Sequence, residues 1–72
     1  ELNIRIDDSN HTSDKKNALV KLLKQFPGEQ EVILHLPGRR RLILNDDLKV
    51  KPDIRLKEKL AAIYGRANVW FA

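Results

Sequence analysis

The residues of this 72-residue chain that could do chemistry are few: the carboxylate pairs Asp7-Asp8 and Asp46-Asp47, the histidines His11 and His35, the run Arg39-Arg40-Arg41, and Trp70. Paired carboxylates can hold a metal ion or divide acid and base roles between them. Both uses need a partner at a fixed spacing, and neither pair has one, so these acids read as turn and cap residues. His11 falls in a predicted turn and His35 on a predicted strand. With no His-x-His spacing and no cysteine anywhere, neither histidine starts a metal site. Pro27-Gly28 and Pro37-Gly38 lack the length and the lysine of a phosphate-binding loop and read as turns. Ser9, Thr12 and Ser13 have no adjacent base held by a third group, which leaves a hydroxyl nucleophile unsupported. No catalytic residue, metal, cofactor or small-molecule substrate is therefore expected. What remains is recognition chemistry. Clustered arginines can meet phosphate or an acidic partner, or simply keep a hairpin soluble, and an exposed tryptophan can stack or anchor.

The elements that would position these groups follow from periodicity. Leu2, Ile4 and Ile6 alternate with polar residues, as in a strand with one wet face. Asp8-Ser9-Asn10-His11 supplies turn chemistry, Thr12 or Ser13 can cap a helix, and Asp14 suits its positive end. Ala18, Leu19, Leu22, Leu23 and Phe26 recur at helical spacing until Pro27-Gly28. A hairpin then joins Val32-Ile33-Leu34-His35-Leu36 to Arg41-Leu42-Ile43-Leu44 through Pro37-Gly38. Val32, Leu34, Leu36, Leu42 and Leu44 take its core face. Asn45-Asp46-Asp47 breaks the strand, and Pro52-Asp53 opens a second helix with Asp53 as its cap. Leu56, Leu60, Ile63 and Tyr64 form the stripe of that helix, and Gly65 ends it in a left-handed cap. Asn68-Val69-Trp70-Phe71 is the last strand. The order β-α-β-β-α-β predicts an α+β two-layer sandwich of ferredoxin-like type, with a four-stranded, mainly antiparallel sheet, two helices on one face and strand order 4-1-3-2. Asn3, Arg5, Ile33, His35, Arg41, Ile43 and Trp70 would line the open face.

Composition bounds the rest. A chain of this length makes one domain, residues 1–72, with no room for both a core and a deep cleft. It begins with Glu1 and has no methionine, so it is expected to be a domain cut from a larger protein, and the resemblance given below implies that protein's C-terminus. The absence of cysteine suits a reducing cytoplasm, and no apolar run approaches the roughly 20 residues of a membrane span. The net charge of +4 is uneven. Residues 1–36 carry five Lys and Arg against six acids, whereas residues 37–72 carry nine against four.

The order and spacing of several pieces carry a resemblance. Phe26-Pro27-Gly28, the strand Val32 to Leu36, a basic turn, Leu42-Ile43-Leu44, Leu48-Lys49-Val50-Lys51-Pro52, a Leu-rich helix closing on Tyr64-Gly65, and Asn68-Val69-Trp70 together resemble the C-terminal domain of the bacterial DNA polymerase III alpha subunit. The likeness spans nearly the whole chain, although the hairpin loop is reduced here to Pro37-Gly38-Arg39 where such domains often carry a longer insertion. It implies a non-catalytic interaction module of DNA replication in the bacterial cytoplasm, since the polymerase's catalytic aspartates belong to a palm domain far upstream. It further implies docking to tau, the clamp-loader subunit, beside a preceding OB-type domain that handles single-stranded DNA. Residue parity then offers Trp70, Ile43 and His35 as partner-binding residues. Leu48, a lone apolar residue between Asp46-Asp47 and Lys49, is offered with them. The alternative is a single-stranded nucleic-acid-binding module using Arg5, Arg39, Arg40, Arg41 and Trp70. A third reading has Trp70 and Ile43 packing on the preceding domain.

Overall fold

The computed structural model describes residues 1–7 and 12–72. Asp8, Ser9, Asn10 and His11, and with them the predicted turn and one histidine, lie outside the described residues. The elements are β1 (Leu2–Arg5), α1 (Ser13–Gln25), β2 (Pro27–Gln30), β3 (Val32–Leu36), β4 (Arg40–Ile43), α2 (Ile54–Tyr64) and β5 (Val69–Phe71), with 3-10 turns at Asp46–Leu48 and Arg66–Asn68. None of the described helices is long and apolar enough to cross a membrane.

Local chemistry sets the helix ends. The Thr12 hydroxyl accepts from the Lys15 N–H at 3.2 Å, and the Asp53 carboxylate accepts from the Arg55 N–H at 2.8 Å. Each satisfies one of the N–H groups that the first helical turn leaves orphaned. At the other end of α2 the Gly65 N–H donates to the Ala61 carbonyl at 2.8 Å, and the Asn68 side-chain amide donates to the Tyr64 carbonyl at 2.7 Å. Gly65 has the expected positive φ of 98° but an extended ψ of 140°, so it redirects the chain instead of closing a left-handed cap.

Asp53 also holds the Arg55 guanidinium, with Oδ2 2.8 Å from Nη2. The side-chain hydrogen bond from Arg55, followed by the backbone one, lowers the carboxyl from 3.8 to about 2. A carboxyl depressed in the folded state contributes stability that is present above its ordinary value and is lost as pH falls through the depressed one. Between 3.8 and about 2, Asp53→Asn should therefore flatten the decline of Tm with falling pH, while keeping a side chain that can still cap. A slope equal to the parent's would show that other carboxyls carry the acid sensitivity.

Four strands form the sheet, in the order β4-β3-β1-β5. The pairing β1/β3 is parallel, while β1/β5 and β3/β4 are antiparallel. The sheet is thus mixed, not mainly antiparallel, and the ferredoxin-like order 4-1-3-2 is corrected: β3, not the second hairpin strand, lies beside β1. Composition accounts for the choice. Val32, Ile33 and Leu34 of β3 are all buried, which suits a strand flanked on both sides, whereas Arg40 to Ile43 of β4 are all exposed, which suits an edge.

Leu2, Ile4, Val32, Leu34 and Val69 point to one face and meet Leu19, Leu23, Leu56, Leu60 and Tyr64 from the two helices in a single core. Leu2, Ile4, Leu23, Val50, Leu56 and Leu60 are 0% exposed. Burying each such side chain stabilises by about 1.5–3 kcal/mol. Two apolar residues fall elsewhere than expected. Leu42, assigned to the core face, is 48% exposed because it sits on the edge strand. Leu48, read as a lone apolar residue for a partner, is half-buried and packs on the core from its 3-10 turn beside α1.

Pro27-Gly28 is not a turn. It opens β2, which bridges to Val50 in antiparallel fashion: the Gly28 N–H donates to the Lys49 carbonyl at 3.2 Å and the Lys51 N–H to the Phe26 carbonyl at 3.1 Å. The phrases Phe26-Pro27-Gly28 and Lys49-Val50-Lys51, far apart in sequence, thus lie against each other. Phe26 is buried beneath the side chains of Arg55 and Lys59, whose cationic ends lie 5.8 and 5.7 Å from its ring centre.

Candidate partner-binding surface

Among the described residues no helix covers the second face of the sheet, and the strand registers arrange its side chains in two adjacent rows. One row runs Ile43, Ile33, Asn3, Trp70 across β4, β3, β1 and β5. The next runs Arg41, His35, Arg5 across β4, β3 and β1. Alternation along each strand puts all seven residues on this face. An apolar row therefore lies beside a basic one.

Trp70 knits the two rows together. Its ring stacks on His35 with centroids 5.2 Å apart and planes 23° from parallel, and the Arg5 guanidinium lies 5.5 Å from its centre. His35 Nε2 and Asn3 Oδ1 lie 2.8 Å apart, a contact in which the amide oxygen can only accept. Asn3 is only 5% exposed and Ile33 6%, although no helix covers them. Ile43, at the far end of the row, is 57% exposed. The row is closed at the Trp70 end and open at the Ile43 end. One polar atom inside it is unmatched: Asn3 Nδ2 is buried and has no hydrogen-bond partner among the described residues. A buried donor left in this way costs about 1–3 kcal/mol.

The structure brings Trp70, His35 and Ile43 onto one face together with Arg5 and Arg41, as the parity of all five suggested. It does not bring Leu48 there. Nor does it gather the three consecutive arginines into one patch. Arg41 points to the open face, Arg40 has the opposite parity with its Nε 3.3 Å from the Pro37 carbonyl, and Arg39 sits in the hairpin turn at φ 62°. Asn3 emerges as the polar anchor of the face. In sequence Asn3 is one of the polar positions that alternate with Leu2, Ile4 and Ile6, and its role depends on His35 and Trp70 arriving from β3 and β5.

Away from this face, shallow hollows lie among the described residues. One, of about 130 Å³, lies on α2 among Ile54, Lys57, Glu58, Ala61 and Arg66. Another, of about 170 Å³, lies between α1 and the hairpin, lined by Ile6, Lys16, Leu19, Leu34, Leu36, Leu42 and Tyr64. The Tyr64 hydroxyl reaches the Lys15 carbonyl at 3.3 Å, and burial pushes its ionisation up from the ordinary value. Among the described residues no three His, Asp or Glu side chains come together as a metal-holding group. Compared with family models, curated proteins and solved structures, the chain shows no significant match.

Proposed function

We propose that this chain is a non-catalytic protein-docking module of the kind that ends the bacterial DNA polymerase III alpha subunit, and that it holds a replicative polymerase in the cytoplasm to tau, the clamp-loader subunit. The observation that supports docking is the sheet face on which exposed Ile43 and half-buried Trp70 flank buried Ile33 and Asn3, beside the basic row Arg41, His35, Arg5. A flat face of mixed apolar and cationic side chains with an aromatic anchor suits a protein surface better than a small substrate, which needs concavity. The resemblance in the order of motifs points to tau as the partner, with the preceding OB-type domain as neighbour. In a titration with tau, Trp70→Ala is expected to weaken binding by more than about 1 kcal/mol, whereas Ile54→Ala, on the far side of α2, should bind like the parent. Equal affinity for parent and Trp70→Ala would move the docking surface elsewhere.

Single-stranded nucleic acid is the second reading, favoured by the alignment of Arg41, His35 and Arg5 beside Trp70. Against it, the central strands β1 and β3 offer no Phe, Tyr or Trp for stacking, and Trp70 is already engaged by His35 and Arg5. Binding of a labelled oligothymidylate that weakens steeply with salt and drops when Arg5 and Arg41 are both changed to Gln would favour it over docking.

A further inference from the structure

We infer that the β4 edge is a strand-addition site for an extended segment of a partner protein, acidic at one end and apolar at the other. This rests on the docking reading above and adds the chemistry of what is docked. β4 is an edge strand, so one side of its backbone has no strand beside it. The Leu44 N–H donates to the Val32 carbonyl at 2.9 Å, which makes Leu44 and Val32 a hydrogen-bonded pair. Such pairs alternate along an antiparallel ladder. Leu42 and Arg40 therefore bond inward to Leu34 and Leu36, and Arg41 and Ile43 turn their N–H and C=O groups outward.

The side chains flanking that row of groups are graded along the strand. Arg39, Arg40 and Arg41 lie at the turn end, and Leu42 and Ile43 lie at the other, 48% and 57% exposed on opposite faces of the sheet. The ion pairs among the described residues involve Lys49, Lys51 and Arg55, and include none of these arginines. Leu42 also lines the hollow of about 170 Å³ between the hairpin and α1, together with Lys16 and Leu19 of α1. An added strand would place one side chain beside Ile43 on the open face and the next beside Leu42 at the hollow. Its following residues would meet Arg41 and Arg40. Charge complementarity thus specifies acids opposite the arginines and β-branched apolar residues opposite Leu42 and Ile43. The other edge, β5, has only three residues, and Val69 among them is buried.

The probe is a blocked hexapeptide of three glutamates and three valines in both block orders, titrated into the isotopically labelled chain by NMR. The expected result is that one order shifts the Arg41 and Ile43 amides, and that exchanging its glutamates for lysines weakens binding at least about fivefold. Methylating one alternate set of peptide amides should abolish binding while methylating the other set leaves it intact. Lysine peptides that bind equally well, shifts confined to Trp70 and His35, or no binding in either order would overturn the inference. The tau titration separates this from the wider reading. Tau binding that depends on Trp70, without peptide binding, removes the strand-addition site and keeps the docking module. Peptide binding without tau binding keeps the site and removes tau.

Discussion

Gly28→Ala is expected to cost about 3 kcal/mol or more, most of what a domain of this size holds in reserve. The residue is exposed, and its φ is not in the positive range, so conformational freedom is not the reason for glycine here. Space is. A Cβ at Gly28 would come within 3.0 Å of Lys51 N, Val50 C and Lys51 Cα, all backbone atoms that cannot rotate aside. β2 and the segment around Val50 would have to part, breaking the bonds from Gly28 to Lys49 and from Lys51 to Phe26. Val50, 0% exposed, and Phe26, 7% exposed, would be pulled from the core with them. Gly38→Ala is the control. Nothing lies within 4 Å of its added Cβ, and only its φ of +80° is strained, for about 1 kcal/mol. Urea denaturation of both variants checks the order of the two losses. A Gly28 variant no weaker than the Gly38 variant would mean that β2 does not press on Val50 in solution.

Leu60→Ala should cost about 2–5 kcal/mol, the range for removing a fully buried leucine whose neighbours cannot collapse into the void. Leu60 is 0% exposed in the middle of α2, between Leu56 at 0% and Tyr64 at 5%, and this stripe closes the core over the sheet. Ile54, on the same helix but 65% exposed, should lose within about 0.5 kcal/mol on the same change. The comparison tests which side of α2 faces the sheet. It also fixes the stability background against which Trp70→Ala must be read, since Trp70 is itself half-buried and its loss will not be silent. Measured by chemical denaturation, equal losses at Leu60 and Ile54 would place the helix in a different rotation.

What could be read from the residues alone was local. Thr12 and Asp53 cap their helices because a short polar side chain followed by a helical run has few better uses. The hairpin pairs Ile33 with Ile43 and His35 with Arg41, as its short loop and alternation require. The same period of two put Trp70, His35, Ile43 and Arg41 on one face before any strand had a neighbour. Strand order was not local. Whether β1 lies beside β3 or beside β4 depends on which strand can bury both faces, and that choice moved Leu42 from core to edge. The burial of Leu48 and the pressing of Gly28 on Lys51 likewise join segments some 20 residues apart, through close packing that no periodicity encodes. Only the folded chain joins Asn3, His35 and Trp70. Each comes from a different strand, and a hydrogen bond or a ring stack exists only once the register between those strands has been set.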